Sequence, residues 1–158
     1  MGALTTPFSN RLRNGLLLGR LVPVYVLLGF LKHLVPLRWL VRWVWYPPVA
    51  ARNREVERRL AAGVARLSQL AGLPDRDCLQ RSLLLYRVLS RAGADPTLVI
   101  GFQREDYRII GHAWVVVDGR AVIEPDAGLV RFSATLHFGS RGALLPTRRT
   151  LTINEDKR

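Results

Sequence analysis

The chain has 158 residues, of which 49% are hydrophobic, and its 24 Lys and Arg against 12 Asp and Glu give a net charge of +12. This length and apolar content predict one buried core. The single cysteine excludes an intramolecular disulfide and favours a cytoplasmic location. One cysteine with three dispersed histidines argues against a metal site, and we expect no cofactor.

Residues 1–50 contain no Asp or Glu, six basic residues and three of the four tryptophans. The apolar run 16–31 is interrupted by Arg20 and Pro23 and is shorter than the roughly 20 residues that span a bilayer. Basic residues with tryptophans are typical of segments that lie on an anionic membrane surface, which predicts surface contact through residues 16–46. Packing of a helical face on the catalytic domain or on partner proteins is the alternative, and the arginine-rich composition of the whole chain favours it.

The segment 51–73 follows Pro47-Pro48 and has apolar residues at steps of three and four. This spacing predicts a helix with one face on the core. The expected core residues are Val56, Leu60, Val64, Leu67 and Leu70.

The next predicted helix begins near Cys78, because Pro74, Asp75 and Asp77 are helix-entry residues. The first turn of a helix favours a thiolate, the nucleophilic form of cysteine. A buried, inert cysteine is the alternative. Gly93 is expected to end this helix in the left-handed conformation.

Residues 96–102 and 109–117 read as two strands, and Asp118-Gly119 predicts a tight turn into a third strand, 120–124. Residues 130–138 are consistent with one more strand. A nucleophile on a helix followed by a base on a strand is the arrangement of papain-like and transglutaminase-like enzymes. We therefore expect an α+β fold with an antiparallel sheet, a helical extension over 1–50, a catalytic domain over 51–147 and a polar tail over 148–158.

His112 lies on the second predicted strand and is the candidate base. If Val117 pairs with Arg120, Glu124 falls on the opposite face, so that a bulge or a bend at Pro125 is needed to turn its carboxylate toward His112. Asp126 is the rival for the residue that orients the imidazole, whereas Asp118 is expected to serve only the turn. His137 is a weaker alternative base, because its context is that of an ordinary strand.

Three stretches resemble the leader peptidase of lasso-peptide biosynthesis, the transglutaminase-like portion of the B protein. They are Cys78-Leu79-Gln80-Arg81-Ser82-Leu83, Leu98-Val99-Ile100-Gly101 and the run from His112 to Gly119. The resemblance is strong over roughly residues 60–130, where order, spacing and the His-Ala-Trp context agree. The apolar, basic N-terminal third is similar in character.

The resemblance implies a cysteine peptidase that removes the leader from a ribosomally made precursor peptide, so that an ATP-dependent macrolactam cyclase can close the ring. It implies Cys78 as nucleophile and His112 as base. The family's third residue, an aspartate twelve positions after the histidine, is Glu124 here, which leaves Glu124 and Asp126 as candidates. The short chain favours the split form, in which a separate winged-helix-like protein recognises the leader.

Three other functions remain open. A transglutaminase-type acyltransferase would use the same three residues, with an amine in place of water. A non-enzymatic, membrane-associated basic adaptor would explain residues 1–50 alone. Nucleic-acid binding would explain the charge, but the arginines are scattered and no binding motif is present, so we expect no nucleic-acid partner.

Overall fold

The computed structural model of the chain describes residues 7–49, 51–70 and 78–146. The helices in these ranges are α1 (Pro7–Leu34), α2 (Leu37–Val44), α3 (Arg54–Leu70), α4 (Cys78–Arg91) and α5 (Asp126–Leu129), with a 3₁₀ turn at Ser140–Gly142. The strands are β1 (Thr97–Glu105), β2 (Arg108–Val117), β3 (Arg120–Ala121), β4 (Ser133–Phe138) and β5 (Leu144–Leu145).

The strands form one antiparallel sheet in the order β3-β2-β1-β4-β5. The predicted α+β fold with an antiparallel sheet and an N-terminal helical part is therefore confirmed. Val117 pairs with Arg120 as expected. Asp118 and Gly119 both have positive φ, 51° and 76°, as the primed hairpin turn requires.

The third strand is shorter than predicted. It ends at Ala121, and the backbone bends over residues 122–124. Two further elements, α5 and β5, were not foreseen, because four- and two-residue elements carry too little periodicity to be recognised.

Helix α4 lies at the centre of the core. Its residues Leu83, Leu84, Leu85, Tyr86 and Leu89 are at most 1% exposed. They share one cluster with side chains of α1, α2 and α3 and with Ala113 and Val115 of β2. The boundary at residue 50 stays a prediction, but the buried residues of α1 and α2 belong to the same core as the sheet.

Helix α3 buries a narrower face than its sequence predicts. Val56 and Leu70 are exposed, whereas the small residues Ala61 and Ser68 are buried. Val64 and Leu67 are buried as expected. Small side chains at the contact allow α3 to approach α4 closely.

The C-terminal end of α4 was predicted. Cys78 is the first described residue of the helix, and the expected entry residues Pro74, Asp75 and Asp77 lie outside the described residues, as does the tail 148–158, so the predicted helix start stays a prediction. Gly93 has φ 84°, and the N–H groups of Gly93 and Ala94 donate to the carbonyls of Ser90 and Leu89. This is the Schellman arrangement that a C-terminal glycine permits.

Candidate active site

Cys78 is the first residue of α4, and its side chain is partly buried against the core. The first backbone N–H groups of a helix have no acceptor within the helix. The predicted helix start at Cys78 would place the thiol beside donors of the kind that stabilise a developing oxyanion.

His112 and Glu124 lie together. The Nε2 atom of His112 is 4.0 Å from Oε1 of Glu124, and the two side chains are 20% and 13% exposed. The bend over residues 122–124 brings the carboxylate to this position, which continued strand pairing would have prevented. The necessary bend was expected at Pro125 and occurs just before it.

Arg81 joins the helix of Cys78 to this pair. Its Nη2 donates to Glu124 Oε1 at 2.5 Å, and its side chain is only 11% exposed. Arg81 follows Cys78 by three residues, which is about one helical turn. We did not predict a role for Arg81, although its i, i+3 spacing from the cysteine is visible in the sequence.

A second contact fixes α4 against β2. The buried Ser82 Oγ donates to the carbonyl of Ala113, the residue after His112, at 2.8 Å. The part of α4 that follows Arg81 is thus held beside the His112 segment of β2. Cys78, His112 and Glu124 therefore belong to elements that meet at one end of α4.

Aromatic side chains support the imidazole of His112. Its ring stacks on Phe132 with centroids 5.0 Å apart and on Trp114 with centroids 6.0 Å apart. Trp114 is 1% exposed and lies over Gly101, where a Cβ atom would come within 2.8 Å of the indole. Gly101 therefore provides the space for the ring beneath His112.

The rival carboxylate Asp126 and the turn residue Asp118 have other partners. Asp126 begins α5, is exposed, and accepts a 3.4 Å hydrogen bond from the N–H of Ala121. Asp118 occupies the hairpin turn and also pairs with Arg52 at 2.7 Å and Arg54 at 3.1 Å. Arg52 lowers the pKa of the Asp118 carboxyl through this hydrogen bond. Asp118 thus ties the turn to the start of α3, a role beyond the turn that sequence spacing did not indicate.

His137, the alternative base, lies on β4 opposite Val99. Its Nε2 atom is buried without a hydrogen-bond partner, and burial lowers the pKa of its imidazole. A base must exchange protons with its reacting group. This setting therefore favours a packing role for His137.

A cleft of about 660 Å³ lies between α3 and the β2–β3 hairpin. Its lining includes Arg52, Arg58, Arg120 and Asp118, but none of Cys78, His112 and Glu124. It offers charge and no nucleophile. Within the described ranges, no three His, Cys, Asp or Glu side chains are grouped so that they could hold a metal ion.

The family model of the transglutaminase-like superfamily matches residues 24–137, well over half of the chain. The chain therefore belongs to the transglutaminase-like superfamily. Members of this superfamily are typically cysteine peptidases or acyltransferases. No curated protein and no solved structure is similar enough to the chain to give a match.

Proposed function

We propose that the protein is a cysteine peptidase that removes the leader peptide from a ribosomally synthesised lasso-peptide precursor. The observation that carries this proposal is the contact between His112 and Glu124 beside the helix that begins with Cys78. The order and spacing of the Cys78, Leu98 and His112 stretches support the choice of substrate class.

Cys78 is the proposed nucleophile. Its sulfur attacks the carbonyl carbon at the leader junction, while His112 takes the thiol proton and passes it to the departing amine of the core peptide. Because Nε2 of His112 faces Glu124, Nδ1 is the nitrogen that exchanges this proton. Water then attacks the thioester, which releases the leader as a carboxylic acid and returns the proton to sulfur.

Glu124 is the proposed orienting residue. A carboxylate beside the imidazole fixes its tautomer and stabilises the imidazolium formed during the reaction. The 4.0 Å separation is longer than a hydrogen bond. Catalytic contacts of this kind commonly shorten only in the substrate complex.

The proposed reaction includes two protein partners. A separate leader-recognition protein presents the precursor, and an ATP-dependent macrolactam cyclase uses the freed amine of the core. The proposed reaction takes place in the cytoplasm. The resemblance of residues 60–130 to the lasso-peptide leader peptidases supports these partners, since peptidases of the split form act in such a set.

Mass spectrometry of a candidate precursor, incubated with this protein and its leader-binding partner, tests the proposal. We expect cleavage at one bond that is lost in Cys78→Ala and His112→Ala and retained in His33→Ala, whose histidine is exposed on α1. Loss in His137→Gln with retention in His112→Ala would overturn the choice of base. Cleavage by Cys78→Ala would overturn the thiol mechanism.

Acyl transfer is the second candidate, because the superfamily contains acyltransferases. The same assay with an added primary amine distinguishes it. A peptidase gives a leader ending in a free carboxyl group, whereas an acyltransferase gives the mass of the amine adduct. An adduct as the main product would replace the peptidase proposal.

A further inference from the structure

Over residues 21–34, helix α1 has apolar side chains both on its buried face and on its exposed face. One face packs into the core through Leu21, Tyr25 and Leu28. The opposite face exposes Val22, Val26, Leu27, Phe30 and Leu34, and the exposure of the last two reaches 68% and 78%. An exposed apolar face of this kind marks a site of contact with a protein or a membrane.

Helix α2 has an exposed face of different composition. Its buried residues are Leu40, Val41 and Val44, whereas Arg38, Trp39, Arg42 and Trp43 point outward. The guanidinium of Arg38 lies over the Trp39 ring at 5.7 Å. Alternating arginine and tryptophan suits the boundary between lipid and water, where indole rings sit among the headgroups and long cationic side chains reach phosphate.

The positive charge of the residues before Glu55 indicates what kind of surface covers α1 and α2. No Asp or Glu occurs before Glu55, whereas basic residues recur throughout. A protein partner with a merely apolar surface would not require this bias, but anionic headgroups would complement it. Among the helices whose residues the structure describes, none combines the length and apolarity needed to cross a bilayer.

We propose that the exposed faces of α1 and α2 dock the protein on an anionic lipid bilayer, with the helices lying along the membrane surface. The docking face consists of Val22, Val26, Leu27, Phe30 and Leu34 with Arg38, Trp39, Arg42 and Trp43. This inference is independent of the proposed peptidase activity.

The docking face is coupled to the candidate active site through Gln80. This residue follows Cys78 by two positions, donates to the carbonyl of Tyr25 at 2.7 Å and accepts from Lys32 at 3.2 Å. A Cβ atom at Gly29 would lie only 3.0 Å from its amide nitrogen, so α1 and α4 are in close contact. The docked protein would therefore hold the start of α4 about one helix diameter, ~10 Å, behind the lipid-facing side of α1.

Vesicle flotation with the full chain tests the docking. The probes are phosphatidylcholine vesicles and vesicles with about one third phosphatidylglycerol. We expect binding to the anionic vesicles that weakens as salt rises. The Phe30→Glu and Trp43→Glu variants should each lower the partition coefficient about tenfold or more, and Arg38→Gln with Arg42→Gln about fivefold for each arginine.

Tyr107→Glu is the matched control, because Tyr107 is fully exposed on the β1–β2 turn and is not part of the docking face. It should bind as the parent does. Circular dichroism melts show whether each variant is folded, and Phe30→Ser serves if Phe30→Glu is not. Equal loss in Tyr107→Glu, equal binding to both vesicle types, or self-association without vesicle binding would overturn the proposal.

Discussion

Two arginine–carboxylate pairs hold the two ends of the β2–β3 hairpin, and they differ mainly in burial. At the turn, Arg52 and Asp118 meet at 2.7 Å with side chains that are 33% and 46% exposed. At the other end, Arg81 and Glu124 meet at 2.5 Å with side chains that are 11% and 13% exposed. The distances are similar, but water screens the first pair and barely reaches the second.

The difference in burial corresponds to a difference in role: the exposed pair anchors the turn, whereas the buried pair positions a proposed catalytic residue. The exposed pair connects the turn to α3 and can be lost at little cost, because both charges remain hydrated. The nearly buried pair fixes the carboxylate that faces His112, and removal of either partner leaves a charge with little solvation. Two arginine–carboxylate ion pairs in one hairpin therefore differ in how much their loss should affect stability and activity.

The largest expected effect is that of Glu124→Gln. The amide retains the shape of the side chain but cannot stabilise an imidazolium as a carboxylate does, so turnover should fall about 10²- to 10⁴-fold. Steady-state cleavage of the precursor measures it. Asp126→Asn is the matched control and should retain the parent rate. Full activity in both variants would eliminate the three-residue site.

The second largest effect is expected for Arg81→Gln. It leaves the Glu124 carboxylate without this guanidinium, which should cost about 1–3 kcal/mol in the free energy of unfolding. Turnover should decrease about 10- to 100-fold, because the orienting carboxylate is less fixed. Urea unfolding measures the change in the free energy of unfolding, and cleavage rates measure the change in turnover. Arg81→Lys, which retains the charge, should recover part of both, and no recovery would show that charge is not what matters.

Gly101→Ala on β1 perturbs the packing against Trp114 of β2 without touching a charge. The added methyl group meets Trp114 at 2.8 Å and the Ser133 carbonyl at 3.0 Å. Overpacking of this kind should cost about 1–3 kcal/mol, measured by urea unfolding. Gly128→Ala is the control, because nothing lies within 4 Å of a Cβ atom there. Equal melts for both variants would contradict the close contact.

Asp118→Asn should have the smallest effect on stability, and that effect should depend on pH. Arg52 lowers the pKa of Asp118, so the folded protein binds fewer protons at this site than the unfolded chain does. The stabilisation is therefore present above the ordinary pKa of Asp118 and is lost as pH falls through the lowered value. Thermal melts of parent and variant should converge in acid, and a difference that persists there would be inconsistent with this account.

Much of the β2–β3 hairpin could be predicted, because residues close together in the sequence specify its turn and the faces of its strands. Asp118-Gly119 specifies the primed turn, and the alternation of His112, Trp114 and Val116 specifies one face of β2. The end of α4 at Gly93 follows from residues within a few positions. These features depend on backbone conformation, which neighbouring residues largely decide.

The position of Glu124 could not be predicted in the same way. Continued pairing would have turned it away from His112, and only the bend after Ala121, together with Arg81 from another element, brings it back. The exposure of Val56 and Leu70 likewise depends on which residues of α3 contact the core. Contacts between distant segments are not encoded in local spacing.

The sequence by itself determined helices α3 and α4, strands β1 and β2, the hairpin turn, and the choice of Cys78 and His112 as candidates, because residue type and spacing suffice for each. The tertiary structure decided that Glu124 faces His112, that Arg81 holds it there, and that one face of α1 is buried while the other is exposed. These outcomes depend on packing between elements far apart in the chain, because that packing decides which side chains are buried and which charges pair.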